Sequence, residues 1–364
     1  MGGISEHVFF LSRELRKRGH DVEILTSRIP GYSPKERGTI RVGRGVAFPI
    51  NKSFSRMTVG IGVSSRINRL LRKNRYDVVH IHGSLAPLLP MAVLRLTRPL
   101  PQTKTVATFH AGHGPSLLYR IFKHPMYRRY FSCYDGLIAV SPVAENTMAY
   151  FFPGNYRIVP NGVDTEVFSP GKSLLKLPDS PLKLLFVGRF EPKKGLRHLL
   201  CAMPRIKRHV PDVKLVVVAG GPMKPYYDKF LTDEVRDSVI FAGEVVGNLR
   251  REYYRWCDIS ITPSIGSESF GITLLEAMGC GKPVVATDIP AFRYVMSEDE
   301  GVFTRTCDHE DLARAVLELN DRKADWDKIG RAGRTKALSL SWPKVAGIIE
   351  DFFLEIRGRC GSRN

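Results

Sequence analysis

The chain contains no run of eighteen apolar residues, so nothing in it reads as a membrane-spanning helix. The longest candidate, residues 85–94, is broken by Pro87 and Pro90 and followed by Arg95. No charged-then-apolar leader pattern with a cleavage site is visible. The six cysteines (Cys133, Cys201, Cys257, Cys280, Cys307, Cys360) are scattered and form no C-x-x-C pair. That pattern speaks against a disulfide framework and predicts reduced, structural thiols in a cytoplasmic protein. Acidic residues are also scarce: 36 Asp+Glu stand against 55 Lys+Arg, giving a net charge of +19.

The shortage of acid is uneven. Residues 1–170 hold 24 Lys+Arg against 10 Asp+Glu, a net +14, whereas residues 171–364 carry only +5. A basic first half suits nucleic acid, an anionic bilayer or a phosphorylated acceptor. No nucleic-acid recognition motif or basic–aromatic interleaving accompanies the charge, so no nucleic-acid partner is expected. Any one cluster, such as residues 13–18, reads more readily as general solubility charge.

At 364 residues the chain predicts two domains. Strand and helix patterns alternate through both halves, which predicts parallel sheets covered on both faces. In the first half strands are expected at 21–26, 46–50, 77–81, 105–109 and 136–140, with helices at 4–18, 61–72, 85–96 and 117–131. Turn and proline chemistry over 168–181 sets the expected boundary: residues 1–168, then 169–340, then a terminal helix over 341–364.

The richest stretch is 263–288, PSIGSESFGITLLEAMGCGKPVVATD. It leaves a buried strand through Pro263, Ser264 and Gly266, enters a helix with Ile272, Leu275 and Met278 on one stripe, and stops at Gly279 and Gly281. A helix entrance offers unpaired N–H groups and positive partial charge, which suits a phosphate. Glu268 stands at that entrance and Glu276 two turns in, where an acid can accept bonds from a vicinal diol. Earlier, Gly188-Arg189 leads to Lys193-Lys194-Gly195 at a strand-to-helix turn. A planar fork and a point charge there suit a diphosphate. His110 follows a strand, beside small residues, and suits a sugar hydroxyl. His82 also ends a strand, while His80 reads as a satisfied core residue. The H-x-H spacing lacks a completing ligand set, so no metal is expected. Asp325-Trp326-Asp327 spells D-x-D but lies in a polar helical run, and residues 279–282 lack the spacing of a P-loop.

In order along the chain stand G-G-I-x-x-H-V, D-V-V-H-I-H, T-F-H-A, A-V-S, I-V-P-N-G-V-D, V-G-R-F-x-x-K-K-G and the E-x7-E string. Together they resemble the retaining family-four glycosyltransferases of GT-B architecture over the whole chain. The resemblance implies two Rossmann-like, doubly wound domains facing across a cleft. It implies metal-independent transfer, with no cofactor, from a nucleotide sugar to a lipid-linked or saccharide acceptor, and reversible contact with an anionic membrane surface. By position, Arg189 and Lys194 would hold the diphosphate, Glu268 the donor sugar and Glu276 the ribose. The backbone of Phe270, Gly271 and Ile272 would line sugar and phosphate. His110 would touch the sugar, and Gly2 and Gly3 would admit phosphate and acceptor. The terminal helix would cross back to the first domain.

Two features depart from the pattern. Ala291 and Tyr294 stand where the family usually carries Gly and an acid. The family's first strand, normally central, precedes the Gly pair, and here only Met1 does. An internal or misassigned start, with about ten to fifteen further residues ending in an apolar strand, is the expectation. The alternatives are a non-catalytic sugar-nucleotide-binding subunit or fragment, and an epimerase or phosphorylase of the same layout.

Overall fold

The computed structural model describes residues 3–29, 38–50, 53–83, 88–110, 125–245 and 247–359. The chain divides into two compact units, Met1–Asn161 with Trp342–Asn364, and Gly162–Ser341.

The first unit opens with helix α1 (Gly3–Lys17), followed by strands β1 (Ile24–Arg28), β2 (Thr39–Ile50) and β3 (Ser53–Val59). Helix α2 (Val63–Asn74), β4 (Val78–His82), α3 (Leu89–Thr97), β5 (Lys104–Phe109), α4 (Pro125–Phe131), β6 (Gly136–Ala139), α5 (Pro142–Ala149) and β7 (Tyr156–Ile158) complete its N-terminal part. Strands β4-β5-β6-β7 form one parallel sheet. Strands β1-β2-β3 form a second, in which β2 and β3 make an antiparallel hairpin that the sequence patterns do not predict. Gly43 and Gly45 interrupt the alternation along β2. Gly43 has φ +56, and a Cβ on it would stand 2.7 Å from Val59 O, so the hairpin needs glycine there.

Strands β1 and β4 are each an edge strand of their sheet and, among the described residues, do not pair with each other. The apolar stripe of α1 is covered only in its second half: Leu11 and Leu15 are buried, whereas Ile4 is 42% exposed. Leu11 and Leu15 pack in a core with Val106, Ile138, Trp342, Val345 and Ile349. The expected helix over 117–131 is described only from Pro125, and the first residues of the expected helix 85–96 lie outside the described residues.

The second unit runs β8 (Lys183–Arg189), α6 (Leu196–His209), β9 (Lys214–Gly220), α7 (Lys224–Asp228), β10 (Val239–Gly243), α8 (Arg250–Trp256), β11 (Ile259–Thr262), α9 (Ile272–Gly279), β12 (Val284–Thr287), α10 (Pro290–Val295), β13 (Gly301–Thr304), α11 (His309–Asp321) and α12 (Trp326–Ser339). Helix α13 (Trp342–Gly358) belongs to the first unit. The six strands are parallel in the order β10-β9-β8-β11-β12-β13. This is the doubly wound order, and its direction reverses between β8 and β11. Loops leaving the carboxyl ends of the strands diverge there, and a ligand crevice forms at such a point. Both faces of the sheet are covered, so its strands read as continuous apolar runs: β11 and β12 are buried at every residue.

Candidate active site

The loops after β8 and β11 meet at the switch point. Gly195 has φ +71, and a Cβ on it would stand 1.8 Å from Pro263 O. No side chain fits, so glycine fixes how closely the two loops approach. Ile265 N–H donates to Lys193 O at 2.9 Å and joins them.

This contact brings together residues far apart in sequence. Lys194 Nζ donates to Glu268 Oε1 at 2.8 Å, and Ser264 Oγ donates to the same oxygen at 3.1 Å. Arg189, at the end of β8, has Nη1 3.0 Å from Glu191 Oε1, and its side chain is 58% exposed. Lys193 Nζ lies 3.8 Å from Glu191 Oε2. Burial is the main cause holding the Lys193 ammonium below its ordinary pKa. Three cations thus face two carboxylates in one patch, and a diphosphate arriving there meets positive charge on preset partners.

Gly271 precedes α9 with φ +128, and a Cβ there would meet Leu274 Cδ1 at 2.9 Å. Phe270 is buried and turns its ring toward Tyr294, at 6.1 Å between centroids, so its side chain serves packing. Ile272 begins the helix. Glu276 is buried at 2% exposure on α9. Arg250 Nη2 lies 2.8 Å from its Oε1, and Tyr254 O–H donates to its Oε2 at 2.9 Å. The network therefore orients Glu276. Burial, with the Glu276 charge beside it, keeps the Tyr254 phenol well above its ordinary pKa and so neutral.

In the first unit, four histidines gather at the carboxyl ends of β4 and β5. His82 Nδ1 and His110 Nε2 share a hydrogen bond of 3.0 Å. His80 Nε2 pairs with Thr108 Oγ1 at 2.6 Å. His7, on α1, donates from Nδ1 to Asn161 Oδ1 at 2.8 Å. Burial lowers all four: His7 to about 4, His80 to about 3, and His82 and His110 well below 6.5. All are neutral near pH 7. His7, His82 and His110 each bring one ring nitrogen to within 4.8 Å of the others. Nitrogens around a tetrahedral zinc, with bonds of about 2.0–2.1 Å, stand only about 3.3 Å apart. Two of the three rings already share a hydrogen bond within the set, so it reads as a polar cluster. Gly3 is the exposed first residue of α1, and Gly2 lies outside the described residues.

Sequence reasoning gave no role to His7, Asn161, Glu191, Arg250 or Tyr254. Arg250 and Tyr254 stand four apart on α8, which is a usable signal for a shared helix face. His7 and Asn161 are 154 positions apart, and nothing local links them.

A fold of this kind, with a phosphate-ready switch point, is that of the GT-B glycosyltransferases. A glycosyltransferase from Rickettsia africae superposes with a TM-score of 0.76 at 17% identity, covering 99% of this chain and 96% of that one. The Anabaena protein HepE, solved with UDP and glucose, superposes with a TM-score of 0.71 at 16% identity, covering 97% and 96%. The family model for Glycosyltransferase Family 4 matches residues 1–167, and that for Glycosyl transferases group 1 matches 181–322. The phosphatidyl-myo-inositol mannosyltransferase of Mycobacterium leprae is 33% identical over 352 residues, covering 96% of this chain and 91% of that protein. The chain belongs to glycosyltransferase family 4. Among the described residues no helix is long and apolar enough to cross a membrane.

Proposed function

We propose that the chain transfers a hexosyl group from a nucleoside-diphosphate sugar to an inositol-bearing lipid, with retention and without a bound metal. Mannose is the first sugar to test, because a relative 33% identical over nearly the whole chain carries that activity in its name. The observation that carries the reading is the 2.8 Å Lys194–Glu268 pair at the switch point. It supports the reading because a cation suited to a departing diphosphate stands beside an acid suited to a sugar hydroxyl. In this reading Arg189 and Lys194 neutralise the leaving diphosphate, Glu268 holds the donor sugar and Glu276 the ribose. The backbone at Phe270, Gly271 and Ile272 lines sugar and phosphate. Gly2 and Gly3 leave room for phosphate and acceptor, and His110 contacts the sugar. The acceptor attacks the face the nucleotide leaves, with the departing phosphate as base, so rate comes from positioning and electrostatics. The basic first half supports reversible contact with the cytoplasmic face of an anionic bilayer.

Saturation-transfer NMR against a panel of nucleotide sugars identifies the donor, and the anomeric coupling of the product reports retention. Failure of every nucleotide sugar to bind sinks the reading. Binding without turnover on any acceptor moves the chain to a sugar-nucleotide-binding subunit, which the divided first sheet would favour.

A further inference from the structure

His7 occupies an unusual place. It is 2% exposed, and its Nδ1–H is committed to Asn161, itself 4% exposed. Its other nitrogen, Nε2, is buried with no hydrogen-bond partner among the described residues. Its ring meets Trp342 edge-on, with centroids 4.9 Å apart and planes at 90°. It also meets His110 edge-on at 4.8 Å and His82 at 5.1 Å. Asn161 is the last residue of the first unit before the chain leaves it, and Trp342 is the first on its return. One imidazole therefore touches both crossing points of the chain and both members of the His82–His110 pair.

From this geometry we infer that His7 is a positioning residue that sets the orientation of His110. The bond to Asn161 places the proton on Nδ1 and leaves Nε2 as a lone pair, so the ring aims no N–H at the histidine pair. The edge-on contact with Trp342 fixes the plane of His7. His82 and His110 are then left with the ring arrangement in which they bond each other. A shift of Asn161 or Trp342 at the crossings would be transmitted through His7 to His110. The role of His110 in transfer rests on the reading proposed above, whereas its orientation by His7 does not.

The test uses full-length protein labelled with 15N-histidine. Wild type is compared with Asn161→Ala, which removes the acceptor, and His7→Phe, which keeps a ring against Trp342 but cannot bond Asn161. In wild type His7 should show the Nδ1–H tautomer alone. Both variants should move the His110 and His82 ring signals. If the transfer reading holds, both should lower kcat by about tenfold or more, with the donor KM changed by less than about twofold. His7→Asn, which restores a donor toward Asn161, should recover part of kcat. Folding is checked by thermal melts, and if His7→Phe does not fold, Asn161→Ala decides. If wild type transfers no sugar, the ring signals alone decide. His110 and His82 signals unmoved in a folded Asn161→Ala variant overturn the inference.

Discussion

Glu268 accepts hydrogen bonds on one oxygen from both Lys194 Nζ, at 2.8 Å, and Ser264 Oγ, at 3.1 Å. The acid is tied to the cation that is proposed to hold the departing phosphate, although 74 positions separate them. Replacing Glu268 by Gln removes the charge and keeps the shape. Transfer should fall by on the order of 100-fold, as for other transition-state contacts. Affinity for the nucleoside diphosphate should hold or rise, because Lys194 loses its competing partner. Calorimetry with the nucleotide and initial rates with the full donor separate the two. A matching fall in nucleotide affinity would remove Glu268 from the sugar side of the site.

Glu276 should behave differently. Glu276→Ala breaks the ion pair with Arg250, and breaking a buried pair costs about 3–5 kcal/mol. Arg250 is partly exposed, with 19% of its side chain reaching solvent, so the lower end applies. Nucleotide affinity should drop along with stability. Urea unfolding and nucleotide calorimetry check this, and unchanged nucleotide affinity in the folded variant would assign Glu276 a purely structural role.

Acid should destabilise the first unit. His7 is lowered from 6.5 to about 4 by burial, with His80, His82 and His110 around it lowered for the same cause. The unfolded chain takes up protons on these rings near pH 6.5 while the folded chain does not. Stability is thus fully present above pH 6.5 and is lost as pH falls toward 4. The His7 shift alone corresponds to about 3 kcal/mol. Thermal melts between pH 7.5 and 4.5 should show a falling midpoint, with a shallower fall in His7→Phe. Equal slopes would mean that His7 is solvated in solution.

The charge of the first half should act at a surface. On α2, Arg66, Arg69, Arg72 and Lys73 are exposed while Ile67 and Leu71 are buried beneath them. Vesicles containing anionic lipid should bind the protein with each nearby cation contributing about 1 kcal/mol at low salt. Binding should fade as salt rises. Sedimentation showing no preference for anionic over neutral vesicles would favour a soluble acceptor.

The second unit was legible because its chemistry sits in short, dense strings. Glycines forced by close approach, as at Gly195 against Pro263, stand beside the cations and acids they position. The stretch 263–288 carried strand, turn and helix in one reading. Strand β13 (Gly301–Thr304) and helix α10 (Pro290–Val295) escaped because four and six residues give too little periodicity. The first unit was legible in its strand ends but not in its pairing. Hairpin β2–β3 hides behind Gly43, Gly45 and Pro49, which read as breakers. The contact of His7 with Asn161 depends wholly on tertiary placement.

Among the described residues β1 and β4 each leave one edge unpaired, which has a consequence for the protein in bulk. An unpaired strand edge is a template for any extended chain that meets it, including another copy of the same protein. Concentrated solutions should therefore drift toward edge-to-edge aggregates, fastest near conditions that loosen the first unit. The same templates make the protein a receptor for a strand supplied as a separate peptide. A short apolar peptide that pairs with either edge would keep the solution clear, whereas a scrambled peptide of equal composition would leave the turbidity unchanged.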